Sequence, residues 1–360
     1  MPLYVAKPSL PKLSDFKQEI KKIYKTHKLT TNGPQVNLLE ERLKKFLGVK
    51  NLLLVSNGTM AIQIALETLK ISQKVSITPF SYVSTVNAVE WQKIPFDFCD
   101  LEKDKLTIDI KKLKLKKNGG LLVVHPFGIP EKINKLTSIC KKKKVKLLFD
   151  ASHCFDIKYK KKSILNYGDA SIISFQATKF FNTCEGGAIV FKSRKDYLAA
   201  HKLIHIGYNY LKKKDILPSR GINAKINELS ASWGISLLKR VNEIKLKKKR
   251  LSEIYFKNLN LNISKPTINL SKQNYNYMPI IFKNEKNLLK VKKKLEKNKI
   301  YPRRYFYPSL DELPHIKKNL SCKNSRNICR RILCLPLSEY ISKKEILKIC
   351  KIVNSNRKAL

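Results

Sequence analysis

The sequence predicts an α/β protein with a mostly parallel, seven-stranded sheet flanked by helices, followed by a smaller C-terminal α+β domain. From about residue 35 to 192, short apolar runs alternate with amphipathic stretches. Strands covered by helices on both faces appear as continuous apolar runs, which is the pattern found here. Beyond about residue 240 the composition changes to lysine-rich helical patterns. With 360 residues, two domains are expected: a large one over 1–240, including an N-terminal segment 1–30, and a small one over 241–360.

The individual elements follow from spacing and from residues that end helices. Apolar residues from Val36 to Leu47 recur at helical spacing, Gly48 ends that helix, and Thr59–Leu69 forms the next one. The apolar runs that predict the seven strands are Leu52–Val55, Val75–Ile77, Pro95–Phe98, Leu121–Val124, Val145–Phe149, Ala170–Phe175 and Gly187–Phe191. The C-terminal part is predicted to contain a long helix, a strand and two further helices, at Val241–Leu259, Asn276–Phe282, Lys286–Asn298 and Lys343–Val353 respectively.

The charge of the chain is unusual. Lysine and arginine number 74 and aspartate and glutamate 27, which gives a net charge of +47. Such a charge suggests a nucleic-acid or membrane-surface protein. However, lysine dominates over arginine and is spread over many short runs, whereas specific nucleic-acid sites favour arginine and interleaved aromatic residues. We therefore expect solvated lysines and no specific nucleic-acid partner, although a positive field would speed capture of an anionic small substrate such as a nucleotide-sugar.

The cysteines and the lengths of the apolar segments indicate in which compartment the protein is expected. The eight cysteines are scattered without a CxxC pair, so reduced thiols in a cytoplasmic protein are expected. Residues 1–5 lack the features of a signal peptide, and no run approaches the ~18 apolar residues that span a bilayer. For this reason no membrane partner is expected. None of the six histidines pairs with a cysteine or carboxylate at ligand spacing, so no metal is expected.

Two charged residues close neighbouring apolar strands. Asp150 ends the run Val145–Phe149, and Lys179 follows the run Ala170–Phe175, 179 − 150 = 29 residues later. In α/β sheets, ligands bind at the carboxyl ends of strands, where both residues are expected. Pyridoxal phosphate needs a lysine for covalent attachment and an acid that keeps its pyridine nitrogen protonated. This pair therefore indicates a pyridoxal-phosphate enzyme.

Other strand ends suggest contacts to the same ligand. Gly58 and Thr59 lie between a strand and a helix, where a glycine permits close approach of an anion and helix amides favour phosphate. The same turn could simply cap the helix. Tyr82 could lie on a cofactor ring or pack in the core, and Ser174 could bind phosphate or cap its strand. No P-loop and no dinucleotide-binding fingerprint is present.

Six segments, in this order, resemble the DegT/StrS family of pyridoxal-phosphate sugar aminotransferases. These segments are Leu29–Pro34, Ser56–Ala61, Thr78–Thr85, Asp150–His153, Ser174–Lys179 with Glu185–Gly187, and Gly221–Glu228. The resemblance covers nearly the whole chain and implies the aspartate-aminotransferase-like fold, fold type I. It also implies that pyridoxal 5′-phosphate is the cofactor and L-glutamate the amino donor.

The resemblance implies a role for each matching residue. Lys179 would bind the cofactor covalently and later move a proton, and Asp150 would hold the pyridine nitrogen. Tyr82 would stack on the ring and His153 would contact its other side. The phosphate would be bound by Gly58, Thr59 and Ser174. In this family the asparagine that matches Asn223 reaches the phosphate of the neighbouring subunit, which implies a homodimer with shared active sites.

A narrower resemblance concerns the substrate. The segments Leu29–Pro34, Asn223–Glu228 and Arg303–Pro308 are similar to those of members that aminate the 4-keto carbon of a dTDP-4-keto-6-deoxyhexose, giving dTDP-4-amino-4,6-dideoxyglucose (viosamine). The residues expected to contact this substrate are Lys225, Arg303, Arg304 and Tyr305. Guanidinium forks suit phosphate oxygens, although both arginines could equally lie on the surface.

Departures from the family pattern leave alternatives open. Gln176 stands where the family commonly has histidine, which puts local substrate or phosphate contacts in doubt. Lys225 belongs to an Asn-Ala-Lys variant of its motif, and the presence of Lys179 argues against related dehydratases, which have histidine there. The alternatives are a 3-aminotransferase, an enzyme acting on a UDP- or GDP-linked keto-sugar, and a basic nucleic-acid-binding or regulatory protein of the same fold.

Overall fold

A computed structural model of the chain describes residues 2–211, 219–259, 273–316 and 321–355. The strands in these ranges, β1 to β13 in chain order, are Leu3–Tyr4, Leu52–Val55, Val75–Ile77, Phe96–Phe98, Gly120–Val124, Lys146–Asp150, Lys158–Tyr159, Lys162–Ser163, Ala170–Ser174, Gly187–Phe191, Met278–Ile281, Ile300–Tyr301 and Ile332–Leu335. The α-helices, α1 to α11, are Leu13–Thr26, Pro34–Leu47, Gly58–Thr68, Ser84–Trp91, Ile133–Lys143, Arg194–Ile204, Glu228–Leu238, Val241–Asn258, Glu285–Lys297, Lys323–Arg331 and Lys343–Asn354.

The main sheet has seven strands in the order β2-β10-β9-β6-β5-β3-β4. Only β10 runs against its neighbours, β2 and β9, and the other adjacent pairs are parallel. All seven predicted strands are confirmed to within one residue at each end. Because β3, β5, β6 and β9 run in one direction, their carboxyl ends meet at a single edge of the sheet, where a ligand site is expected.

Helices cover both faces of this sheet. Along β6, Leu147 and Phe149 belong to one apolar core and Leu148 to another, as the two-residue period of a strand requires. The first core is completed by α2, α5 and α7, and the second by α3, α4 and α6. This double burial explains why the strands appear as continuous apolar runs rather than alternating ones.

The C-terminal part builds a third core on the antiparallel pair of β11 and β13. Its apolar residues come mainly from α8, α9 and α11, and include Leu251, Val291 and Ile349. The chain start also joins this region, because β1 pairs with β12 in parallel, although segment 1–30 was expected in the large domain. The first core in turn takes in Ile281 and Phe306. The domain boundary at residue 240 stays a prediction.

The helices predicted from spacing agree with α2, α3, α8, α9 and α11 to within two residues. Gly48 ends α2 in a left-handed conformation with φ of 64°, which glycine adopts without strain. In the described ranges, no helix has the length and apolar character that crossing a membrane requires. No disulfide joins the eight cysteines, all of which lie in the described ranges, and Cys184 alone among them is exposed.

Candidate active site

A cavity of about 560 Å³ opens at the carboxyl edge of the sheet, a size typical of small-molecule sites. Nine of the predicted site residues line it, namely Gly58, Thr59, Tyr82, Asp150, His153, Ser174, Lys179, Arg303 and Tyr305. They come from five separate parts of the chain: four follow strands of the main sheet, and the fifth, with Arg303 and Tyr305, comes from the C-terminal part. Three further predicted residues, Asn223, Lys225 and Arg304, do not line this cavity.

Lys179 closes a tight turn directly after β9. Its backbone N–H donates to the carbonyl oxygen of Gln176 at 2.8 Å. The pKa of Lys179 is lowered to about 8, chiefly by burial; the negative charge of Asp150 opposes this lowering and the positive charge of Arg303 adds to it. A substantial fraction of this amine is therefore neutral, and hence nucleophilic, near pH 8.

Asp150 ends β6 with hydrogen bonds on both carboxylate oxygens. Its Oδ1 accepts from the backbone N–H of Ser152 at 3.0 Å, and its Oδ2 accepts from the Thr85 hydroxyl at 3.2 Å. Thr85 in turn lies 2.7 Å from the hydroxyl of Ser81. Because an ionised carboxylate only accepts, Thr85 must donate to Asp150, and Ser81 must then donate to Thr85. This chain of donors stabilises a negative charge that faces the cavity.

His153 forms part of the cavity wall with a fixed ring. Its Nδ1 accepts from the backbone N–H of Phe127 at 3.0 Å. Burial, together with the charge of Lys179, holds the pKa of His153 well below its ordinary value. The ring contacts Phe306, with centroids 5.7 Å apart, and Tyr277, with centroids 4.3 Å apart. The neutral ring therefore carries its proton on Nε2 and offers an apolar face with one donor.

The start of α3 forms a cradle suited to phosphate. A Cβ on Gly58 would lie 3.0 Å from the Cβ of Ser174, and one on Gly187 would lie 2.8 Å from the backbone of Asn57. The Asn57 side chain caps α3 by accepting from the Met60 N–H at 2.8 Å. The two glycines therefore let the start of α3 pack directly against Ser174 and β10. Thr59 and Ser174 line the cavity at this helix N-terminus, whose backbone amides favour an anion. We call Gly58, Thr59 and Ser174 the phosphate cradle.

Gln176 has its side chain held in one orientation. Its Oε1 accepts from the backbone N–H of Thr178 at 2.9 Å and from the Thr178 hydroxyl at 2.6 Å. Its own backbone N–H donates to Ser174 Oγ at 3.4 Å. With the oxygen engaged, the Nε2 group of this cavity-lining residue remains as a donor beside the phosphate cradle.

The two neighbouring arginines lie in different places. Arg303 lines the cavity with its guanidinium 4.8 Å from the centroid of the Tyr305 ring. Arg304 instead forms an ion pair with Glu285 and stacks on Tyr307. The expectation that Arg304 contacts substrate is thus not matched by its position, because consecutive residues of an extended segment point to opposite sides.

Asn223 and Lys225 lie together outside the cavity. The Lys225 amine donates to Asn223 Oδ1 at 2.7 Å, and Lys225 lines a separate, smaller cavity of about 190 Å³. Asn223 is also paired through its backbone with His205. Within one chain, these two residues therefore do not join Lys179.

Sequence reasoning missed Ser81, Thr85 and Phe306 as parts of the site. Thr85 contacts Asp150 across 65 residues of sequence, and such a distant pair leaves no local pattern. A usable signal was the presence of two hydroxyls, Ser81 and Thr85, in the short turn between β3 and α4 and in the first turn of that helix. Phe306 follows Arg303 within a segment already singled out for its charge.

The residues of the cavity fit pyridoxal 5′-phosphate. A partly neutral lysine, a carboxylate held by two donors, a flat aromatic wall and a phosphate cradle occur together. Tyr82 is 51% exposed at the cavity wall, so its ring has a face that a bound molecule can cover. Each chemical part of the cofactor thus finds a matching group.

Comparison with known proteins gives the same result. The DegT/DnrJ/EryC1/StrS aminotransferase family model matches residues 12–354. The chain is 31% identical over 369 residues to the dTDP-4-amino-4,6-dideoxy-D-glucose transaminase of Escherichia coli, covering 97% of each protein. It is 29% identical over 353 residues to the protein of that name from Shigella dysenteriae, covering 95% of each.

A solved structure confirms the fold. DesI, determined in the presence of its TDP-sugar product, superposes with a TM-score of 0.90 at 22% identity, covering 98% of this chain and 92% of that one. The predicted family, fold class and cofactor are confirmed, and an enzyme is favoured over the nucleic-acid-binding alternative. The chain belongs to the DegT/DnrJ/EryC1/StrS family, whose members are pyridoxal-phosphate-dependent sugar aminotransferases.

Proposed function

We propose that the chain transfers the amino group of L-glutamate to the 4-keto carbon of a dTDP-4-keto-6-deoxyhexose, giving dTDP-4-amino-4,6-dideoxyglucose for glycan biosynthesis. The observation that carries this proposal is that Lys179 and Asp150 share one cavity with the phosphate cradle. The E. coli and S. dysenteriae relatives, which match over nearly their full length, are named for this sugar.

The reaction has two halves in one cavity. L-glutamate gives up its amino group and leaves as 2-oxoglutarate, and the keto-sugar then enters and takes up that amino group. Bound pyridoxal phosphate supplies an electron sink for both halves. Lys179 removes and returns a proton, for which a pKa near working pH is well suited.

The other cavity residues bind and orient. Asp150, held by Thr85 and Ser152, would keep the ring nitrogen of the cofactor protonated. His153 would contact one face of the ring and Tyr82 the other. The phosphate cradle would hold the phosphate and so fix the orientation of the ring. Arg303 and Tyr305 face the cavity where a sugar nucleotide would enter.

We also propose a homodimer with shared active sites, in which Asn223 and Lys225 act on the cavity of the neighbouring subunit. Support comes from their position outside the cavity of their own chain. The surface near them is also apolar, since Tyr208, Tyr210 and Ile222 are 42%, 51% and 46% exposed. The cytoplasmic location stays a prediction.

Mixing two inactive variants tests the shared site. Lys179→Ala and Asn223→Ala are expected to recover activity when their subunits are exchanged, because one site of each hybrid dimer is then intact. Lys179→Ala mixed with Asp150→Ala is the matched control and should recover none, since both residues line the same cavity. If both mixtures recovered the same activity, or neither recovered any, the proposal that the active sites are shared between subunits would be contradicted.

The substrate is tested by product analysis. Purified enzyme with L-glutamate should aminate dTDP-4-keto-6-deoxyglucose at C4, as shown by NMR of the product. The UDP- and GDP-linked keto-sugars and a 3-keto isomer are the comparison substrates. A higher kcat/KM for any of these would replace the proposed substrate while leaving the aminotransferase assignment intact.

A further inference from the structure

Arg303 is anchored at the mouth of the cavity. Its backbone N–H donates to Cys334 at 3.1 Å, and its carbonyl oxygen accepts from the Cys334 N–H at 2.8 Å. The guanidinium rests 4.8 Å from the Tyr305 ring centroid, an arrangement that stabilises a cation. The backbone of Arg303 and its guanidinium group are therefore both fixed in position, and the guanidinium remains accessible from the cavity.

The positive charge of Arg303 is available to a ligand. Among the described residues that line the cavity, the other lysine or arginine is Lys179, which is partly neutral near pH 8, so the permanent positive charge of the cavity belongs to Arg303. No carboxylate in the described ranges lies within ion-pair distance of Arg303. Its charge nevertheless influences the Lys179 amine, which places it near the reacting centre.

Both substrates of the proposed reaction carry negative charge. L-glutamate has two carboxylates, and a sugar nucleotide has a diphosphate. The amino nitrogen of the first must reach the position of Lys179, which brings a carboxylate to the adjoining part of the cavity. In a two-step transfer, the two anions never occupy the cavity at the same time. One guanidinium fork can therefore serve both, because it suits carboxylate and phosphate oxygens alike.

We propose that Arg303 binds a carboxylate of L-glutamate in the first half-reaction and the diphosphate of the sugar nucleotide in the second. This proposal rests on the proposed function. It assigns one residue to the recognition of both substrates and requires them to compete for the same group.

The neighbouring arginine provides a matched control. Arg304→Gln removes the same charge one residue away, yet Arg304 is paired with Glu285 outside the cavity. Arg303→Lys keeps the charge but loses the planar fork. If Arg304→Gln fails to fold, the comparison of Arg303→Gln with Arg303→Lys still tests whether the guanidinium of Arg303 binds the two substrates.

Each half-reaction is followed separately by the absorption change of the bound cofactor. Arg303→Gln should weaken apparent binding of both L-glutamate and the keto-sugar by about tenfold, the effect of losing a hydrogen bond to a charged group. Arg303→Lys should lie between this variant and the wild type. Arg304→Gln should stay within about twofold of the wild type in both halves.

Competition gives a second measure. With the wild type, dTDP should inhibit the L-glutamate half-reaction competitively, and in Arg303→Gln this inhibition should weaken at least as strongly as substrate binding. A loss confined to one substrate, or unchanged dTDP inhibition in Arg303→Gln, overturns the shared role. A wild type that shows no spectral response to L-glutamate would instead contradict the proposed function itself.

Discussion

Gly33 lies against the carboxylate of Glu228, so that a Cβ on residue 33 would come within 2.5 Å of Glu228 Oε1. The two oxygens of Glu228 accept from the backbone N–H groups of Gln35 at 2.8 Å and Val36 at 2.9 Å. Glu228 therefore caps α2 from 193 residues away. Two of the segments that carry the family resemblance, 29–34 and 221–228, are in direct contact through this carboxylate.

This contact predicts a coupled effect on stability. Gly33→Ala should lower the free energy of unfolding by about 2 kcal/mol, because the buried carboxylate has to shift. Glu228→Gln should cost about 1–3 kcal/mol, since one amide N–H loses its acceptor. Denaturant unfolding measures both. In a Glu228→Ala background the cost of Gly33→Ala should fall by at least half, and strict additivity would argue against the contact.

How much the sequence predicts depends on the range of the interaction. The strands were predictable because double burial leaves continuous apolar runs, as in β6. Helix α1 was missed, although Phe16, Ile20 and Ile23 follow a helical spacing. This short row of apolar residues lies in the N-terminal segment 1–30, for which no helix or strand was predicted.

For the site, charge and order along the chain identified the residues, but not their orientations. Lys179 and Asp150 were predictable because Asp150 ends β6 and Lys179 lies in the turn after β9, and these two strands run in parallel. The choice between Arg303 and Arg304 was not, because adjacent residues in an extended segment differ only in the side to which they point. The bond from Thr85 to Asp150 depends on packing of α4 against the sheet, which no local pattern records.

Thr85 is expected to act as a positioning residue for Asp150. Thr85→Val keeps the shape but removes the hydroxyl, which should slow the L-glutamate half-reaction by about tenfold. It should also raise the pH at which the bound cofactor loses its ring proton, because a carboxylate with one donor fewer is more basic and holds a shared proton more strongly. Ser81→Ala, one step further away, should give a smaller change in the same direction.

Thr85→Ser separates the role of the hydroxyl from that of packing. Because the serine retains the O–H, this variant should recover most of the rate and restore the spectroscopic pH midpoint. If Thr85→Ser is as impaired as Thr85→Val, the methyl group and not the hydrogen bond is what matters. Absorption spectra recorded across a pH series provide the measurement.

Lys179 predicts a pH dependence for cofactor capture. With a pKa of about 8, the amine of the cofactor-free protein is mostly protonated below pH 8 and mostly neutral above it. The rate of covalent binding should therefore rise with pH through about 8 and then level off. Lys179→Ala should not form the covalent bond at any pH.

Two variants should move this midpoint in opposite directions. Asp150→Asn removes a negative charge that stabilises the ammonium form, so the pKa of Lys179 should fall and the midpoint should move to lower pH. Arg303→Gln removes a repelling positive charge, so the midpoint should move to higher pH. If the pH midpoints of the two variants moved in the same direction, these two charges would not be acting on Lys179. The rate of covalent binding in each variant is measured by rapid-mixing absorbance.

Gln176 is predicted to donate to the cofactor phosphate. Its Oε1 is occupied by Thr178, its backbone is linked to Ser174, and the residue lines the cavity with its Nε2 group left to donate. Gln176→Leu should weaken binding of pyridoxal phosphate by about tenfold. Gln176→Glu should weaken it further, because a carboxylate of the same shape repels the phosphate.

Pyridoxal, which lacks the phosphate, distinguishes a direct contact from a general loosening of the turn. If Gln176 binds the phosphate, its variants weaken pyridoxal phosphate but leave the weaker affinity for pyridoxal nearly unchanged. Thr178→Val removes one bond to Oε1 without touching Nε2, so it should loosen the turn and affect both ligands equally. If Gln176→Leu reduced both affinities in the same proportion as Thr178→Val, Gln176 would only shape the turn that carries Lys179. Equilibrium binding followed by absorbance measures both ligands.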